Sequence, residues 1–236
     1  MSRGRLIASL NSRRKGLIDI SLPNENLRAF DILEVYGASN IDDAFVNPRK
    51  ILEVRVGAVF SSPLCKAALD ESNRGITRVF FNLDEYSTTP KALTTRIPTD
   101  NEVCYVRIRG RIKGTNQFGD FGPIIVIPPY DFYSLTNPVL TMIGTCPDMG
   151  ANIPDSLEVG ALNIHLPNFT SNFNLKNLSS VAGEDILFTC SPGMNPSVIP
   201  PTESFVLTTS TVGEFFIGGL NSTPQFTLRC AIKNIG

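Results

Sequence analysis

The chain has 236 residues, 42% hydrophobic and 18% charged, with a formal net charge of -1. That length supports one large β core or two of roughly 100 residues each. The balance excludes a disordered chain and a field built as a whole to hold nucleic acid or an acidic membrane.

No apolar run reaches the roughly 18 residues needed to span a bilayer. Met1-Ser-Arg-Gly-Arg5 leads into too few apolar residues for a signal-peptide core, so the expected setting is a cytoplasm. The first 25 residues carry five cations, Arg3, Arg5, Arg13, Arg14 and Lys15, around short apolar pieces. They read as an N-terminal arm, 1–25, rather than a core element.

From Phe30 onward, short apolar runs are cut by turn residues, predicting strands over 32–36, 51–60, 76–83, 103–112 and 124–127. Leu52, Val54 and Val56 share one face of their strand, with Glu53 and Arg55 on the other. In the run Cys104–Ile112, Cys104, Val106, Ile108 and Ile112 point one way and Arg107, Arg109 and Arg111 the other. Residues 62–72, with Leu64, Ala67 and Ala68 before Asn73-Arg-Gly75, predict a short helix. The proline- and aromatic-rich stretch Pro128–Pro138 marks a boundary, giving domains 26–130 and 131–236, although it suits a crossing loop within one sandwich too. Further strands are expected over 139–143, 157–166, 186–190, 205–209, 214–217 and 226–232. The fold class is therefore all-β: one or two antiparallel β-sandwich or jelly-roll-like domains behind an arm.

The five cysteines, Cys65, Cys104, Cys146, Cys190 and Cys230, are far apart and form no CxxC pair. They read as free, buried thiols. The sole histidine, His165, lies on what reads as the exposed side of a strand without a nucleophile motif, so no catalytic residue is assigned. One histidine with scattered cysteines makes no zinc set. The acid pairs Asp42-Asp43, Asp84-Glu85 and Glu184-Asp185 sit beside turns and make neither a two-carboxylate cleft nor a calcium loop. No phosphate-cradling glycine loop opens a helix. No cofactor, metal or small-molecule substrate is expected.

The stripe Arg107, Arg109, Arg111 and Lys113 is the most pointed feature. Alternate residues on a strand lie roughly 7 Å apart, a spacing that suits a row of carboxylates or phosphates as well as a solvated sheet face or charge-protected edge. Direct nucleic-acid binding is disfavoured. Tyr105 is expected across the strand from the arginines if there is no bulge, and no aromatic stacking set stands out. Fifteen phenylalanines without a tryptophan read as core.

Residues Leu187–Met194, Val198–Pro201, Val212–Ile217 and Phe226–Ile232 resemble the closing strands of small β-sandwich virion proteins of tailed bacteriophages, over about the last 50 residues. The resemblance implies a capsid, decoration or head-tail accessory subunit of the virion, made in the host cytoplasm. It would be present in many copies and hold homo-oligomer and other virion partners through its arm and strand edges. The candidate contact residues are Arg3, Arg5, Arg13, Arg14, Lys15, Arg107, Arg109, Arg111 and Lys113, with no membrane partner. A binding module for carbohydrate or a cell-surface ligand is the alternative, weakened by the absence of tryptophan.

Overall fold

The computed structural model describes residues 9–14, 17–23, 29–55, 65–69, 76–82, 103–129, 138–167, 170–191, 193–208 and 212–232. The protein is mostly β, with antiparallel pairing throughout its described strand ladders. The chain divides into two compact units, Met1–Asp131 and Phe132–Gly236.

Unit 1 contains β1 (Ser9–Arg14), β2 (Leu17–Pro23), β3 (Phe30–Ala38), helix α1 (Ile41–Val46), β4 (Arg49–Arg55), β5 (Cys65–Leu69), β6 (Ile76–Asn82), β7 (Cys104–Ile112) and β8 (Ile124–Ile127). The strands pair in the orders β1-β2-β6-β5 and β8-β7-β3-β4. Leu33 and Val35 on β3 and Val106 and Ile108 on β7 are buried, as are all four residues of β8. Asn40 starts α1 because its side-chain oxygen accepts from the Asp43 N–H at 2.8 Å, satisfying one donor of the first turn.

Residues 9–14 and 17–23 are not an arm: β1 pairs with β2, and β2 pairs over its full length with β6, burying Ile20. The helix expected over 62–72 is the strand β5 at Cys65–Leu69, in register with β6 from Cys65 opposite Phe81 to Leu69 opposite Thr77. A ladder offered by a β-branched and aromatic neighbour overrides the weak helical preference of two alanines.

Unit 2 contains β9 (Val139–Thr145), β10 (Leu162–His165), β11 (Thr170–Asn177), β12 (Ile186–Thr189), β13 (Ser197–Ile199), β14 (Ser204–Leu207), β15 (Glu214–Gly219) and β16 (Gln225–Ile232). Here β12 pairs with β13, β11 with β14, β10 with β15 and β9 with β16. Those are four nested partnerships along one long folded-back ribbon. Pairings of β11 with β16 and β12 with β15 join the ribbon into two sheets, β14-β11-β16-β9 and β13-β12-β15-β10. This nesting and strand order are those of an eight-stranded jelly-roll.

The two sheets of unit 2 meet through phenylalanines. Phe173 on β11 stacks on Phe188 of β12, centroids 5.4 Å apart, and meets Phe215 of β15 edge-on at 5.3 Å. Phe205 on β14 closes on Phe188 at 4.8 Å. Aromatic pairs at these separations add about 0.5–1.5 kcal/mol each beyond their area burial. The other face of the second sheet is covered too: Leu187 and Phe216 pack with Leu157 from the β9–β10 connection. Leu157 had been expected to open a strand over 157–166, but the strand begins at Leu162.

Candidate functional site: the arginine row of β7

The pleat of β7 alternates buried Val106, Ile108 and Gly110 with half-buried Arg107, Arg109 and Arg111. Gly110 has to lack a side chain, because a Cβ there would lie 2.3 Å from the ring of Phe30. β7 is an interior strand. β3 pairs along one side, and β8 with residues 117–122 runs along the other, where Gly119 and Gly122 donate to the Gly110 and Ile108 carbonyls at 2.8 Å each. The row therefore lies across the middle of a sheet and not on its edge.

The carboxylates it meets belong to the same chain. In the β3–β7 register Glu34 stands opposite Arg109 and Tyr36 opposite Arg107. The register slips between Phe30 and Ile32, so Asp31 and Ile32 together face Arg111, the two-against-one count of a β-bulge. Asp31 thereby reaches Arg111, which donates from Nε and Nη2 at 2.9 and 3.0 Å in a bidentate fork. Those hydrogen bonds hold the Asp31 carboxyl below its usual range and Arg111 above its own.

Glu34 is the hub, its side chain only 6% exposed. Lys50 donates to Oε1 at 2.6 Å, and Tyr36 and Arg109 donate to Oε2 at 2.7 and 2.8 Å. The phenol of Tyr36 in turn accepts from Arg109 Nη2 at 2.5 Å. Burial alone would raise the Glu34 carboxyl, but the donors from Lys50, Tyr36 and Arg109 outweigh it and hold it below its usual range. Burial first, then the hydrogen bond to Glu34, push Tyr36 up to about 12.

Aromatic rings close the row from the other side. The Arg109 guanidinium lies 4.5 Å from the Phe118 centroid and 5.0 Å from those of Phe121 and Tyr36. Arg107 lies 4.7 Å from Phe121 and 5.6 Å from Phe45, and donates to the Phe45 carbonyl at 3.2 Å and that of Gly122 at 3.3 Å. Such cation–π contacts are worth about 0.5–1 kcal/mol when exposed and about 2 when desolvated. An aromatic stacking set is thus present where none was expected. Tyr105 also belongs to the arginine side of β7, since period-two alternation puts it there; it is 5% exposed, opposite Ala38 and Val126. Glu34, Asp31 and Tyr36 went unassigned in the sequence, although a glutamate inside the apolar run Ile32–Tyr36 already signals a buried counter-charge.

No protein-family model and no curated protein matches the chain.

Of the predicted contact residues, the structure sets Arg109 against Glu34, Arg111 against Asp31 and Arg107 against backbone carbonyls and aromatic rings, and leaves Lys113 exposed on the turn after β7. Arg13 and Arg14 lie on β1, opposite Ile18 and Leu17; Arg3, Arg5 and Lys15 lie outside the described residues. His165 is not a surface group. It sits opposite Glu214 in the β10–β15 register, half-buried, with Nε2 buried and without a hydrogen-bond partner among the described residues. Burial lowers its proton affinity, opposed by the Glu214 charge. Cys104, Cys146 and Cys230 are buried, but Cys190 is exposed, against the expectation of burial.

Proposed function

We propose that this protein is a structural subunit that works by assembly, of the virion capsid, decoration or head-tail accessory kind. The observation that carries the reading is the jelly-roll order of unit 2, an architecture that recurs in viral capsid domains and also in lectins. Fold alone does not assign function. The resemblance of residues 187–232 to phage virion proteins is what weights the capsid side of that pair. The arginine row supports the same reading as a clasp: Arg109 and Arg111 pair with Glu34 and Asp31 of the same unit, which makes a stiff face rather than an open anion site.

Light scattering on the full chain across a range of concentrations tests this. A defined multi-copy mass is expected. A single-chain mass at every concentration would overturn it.

A further inference from the structure

Strand edges are where β proteins guard against unwanted pairing, with charge, proline, bulges or short strands. β1 carries Arg13 and Arg14, β4 carries Arg49, Lys50, Glu53 and Arg55, and β5 carries Lys66. In unit 2, β13 and β14 are three and four residues long. β9 has none of these guards. It is seven residues, Val-Leu-Thr-Met-Ile-Gly-Thr, with no charge and no proline, pairing with β16 in an unbroken register. It ends its sheet.

Backbone parity fixes which groups that edge presents. The Cys146 N–H donates to the Pro224 carbonyl at 2.9 Å, so Cys146 and, two by two, Gly144, Met142 and Leu140 turn their backbone groups toward β16. The Leu178 N–H takes the Gln225 carbonyl on the opposite side of β16, as the same alternation requires. Val139, Thr141 and Ile143 therefore direct N–H and C=O away from the sheet, and among the described residues no loop hydrogen bond reaches them. Their side chains face solvent as well, with Val139 51% and Ile143 61% exposed.

We infer that β9 pairs with β9 of a second copy of this chain, antiparallel across a two-fold axis through Thr141. In that register Val139 of each copy stands opposite Ile143 of the other, so both exposed apolar residues are covered twice over. Backbone groups that face outward on one strand meet groups that face outward on the other. An isologous contact must be self-complementary; a neutral, β-branched strand meets its own copy without like-charge repulsion. The contact joins two β14-β11-β16-β9 sheets into one that runs through both copies.

The inference rests on the assembly reading and names its contact strand. The test compares wild type, I143K and the double variant V139E/I143K by light scattering across concentration, with circular dichroism confirming that each stays folded. The I143K dissociation constant should rise roughly tenfold or more. The double variant, which sets a carboxylate opposite an ammonium twice across the axis, should regain the wild-type mass. If I143K keeps the wild-type association, the edge proposal falls and the assembly reading stands. A double variant that stays dissociated overturns the Val139–Ile143 register and the two-fold pairing with it. Wild type with a single-chain mass throughout overturns both.

Discussion

At the scale of single residues, Glu34 shows how one carboxylate can decide the state of a whole face. Its folded affinity for a proton lies below the unfolded value, so its contribution to stability is complete above about pH 4.5 and is lost as pH falls through the lower folded value. The Glu34→Gln variant should therefore flatten the acid limb of the stability curve and cost about 1–3 kcal/mol at neutral pH, read by denaturant unfolding. The neighbouring Lys50–Glu53 pair is exposed and adds little. Alternation along β7 was legible in the sequence, and with it the arginine row. Its partners were not, because pairing Asp31 with Arg111 depends on a one-residue bulge, which also carries Phe30 over to the Gly110 side of the sheet and which no residue type marks. The aromatic cover was hidden for a similar reason: Phe118 and Phe121 lie in a Gly-rich return that has no strand pattern of its own.

At the scale of elements, strands announced themselves where apolar positions alternate over five or more residues, as in β7 and β16. β11 escaped notice because Asn172, Asn174 and Lys176 dominate its text, though Phe173 and Leu175 between them are fully buried. β13 and α1 are too short for any period to register. Element ends depend on close backbone approach as much as on pattern. At Gly219, which ends β15, a Cβ would lie 2.2 Å from the Ser222 carbonyl oxygen and 2.5 Å from Pro224 Cδ. Backbone and a proline ring cannot swing aside. Gly219→Ala should destabilise the protein by about 1–3 kcal/mol, measured as a lower denaturant midpoint with an unchanged slope.

At the scale of the whole molecule, the sequence carried the fold class and the density of strands, but not the sheet orders. Those orders follow from which strands lie opposite each other in the folded ribbon, information spread over the chain and weak at any one place. Unit 2 has its own sandwich core of Phe173, Phe188 and Phe215, drawn from β11, β12 and β15. A fragment spanning 132–236 should thus fold by itself, giving a β-type circular dichroism spectrum and one cooperative unfolding transition. A fragment with only a disordered spectrum would show that this core needs the rest of the chain.

The nesting of the ribbon also orders events in time. β12 and β13 lie close in sequence and can close early, whereas Met142 of β9 and Thr227 of β16, which share a hydrogen bond, are 85 residues apart. Loop closure over that span comes late, and folding dominated by such distant pairings is slow. During synthesis β9 leaves the ribosome well before the strand that will cover one of its sides, so for that interval it is open along both. The cell therefore has to carry an uncharged, β-prone strand through translation unprotected, and slow translation or high expression should raise the insoluble fraction of this protein before any mature contact is made.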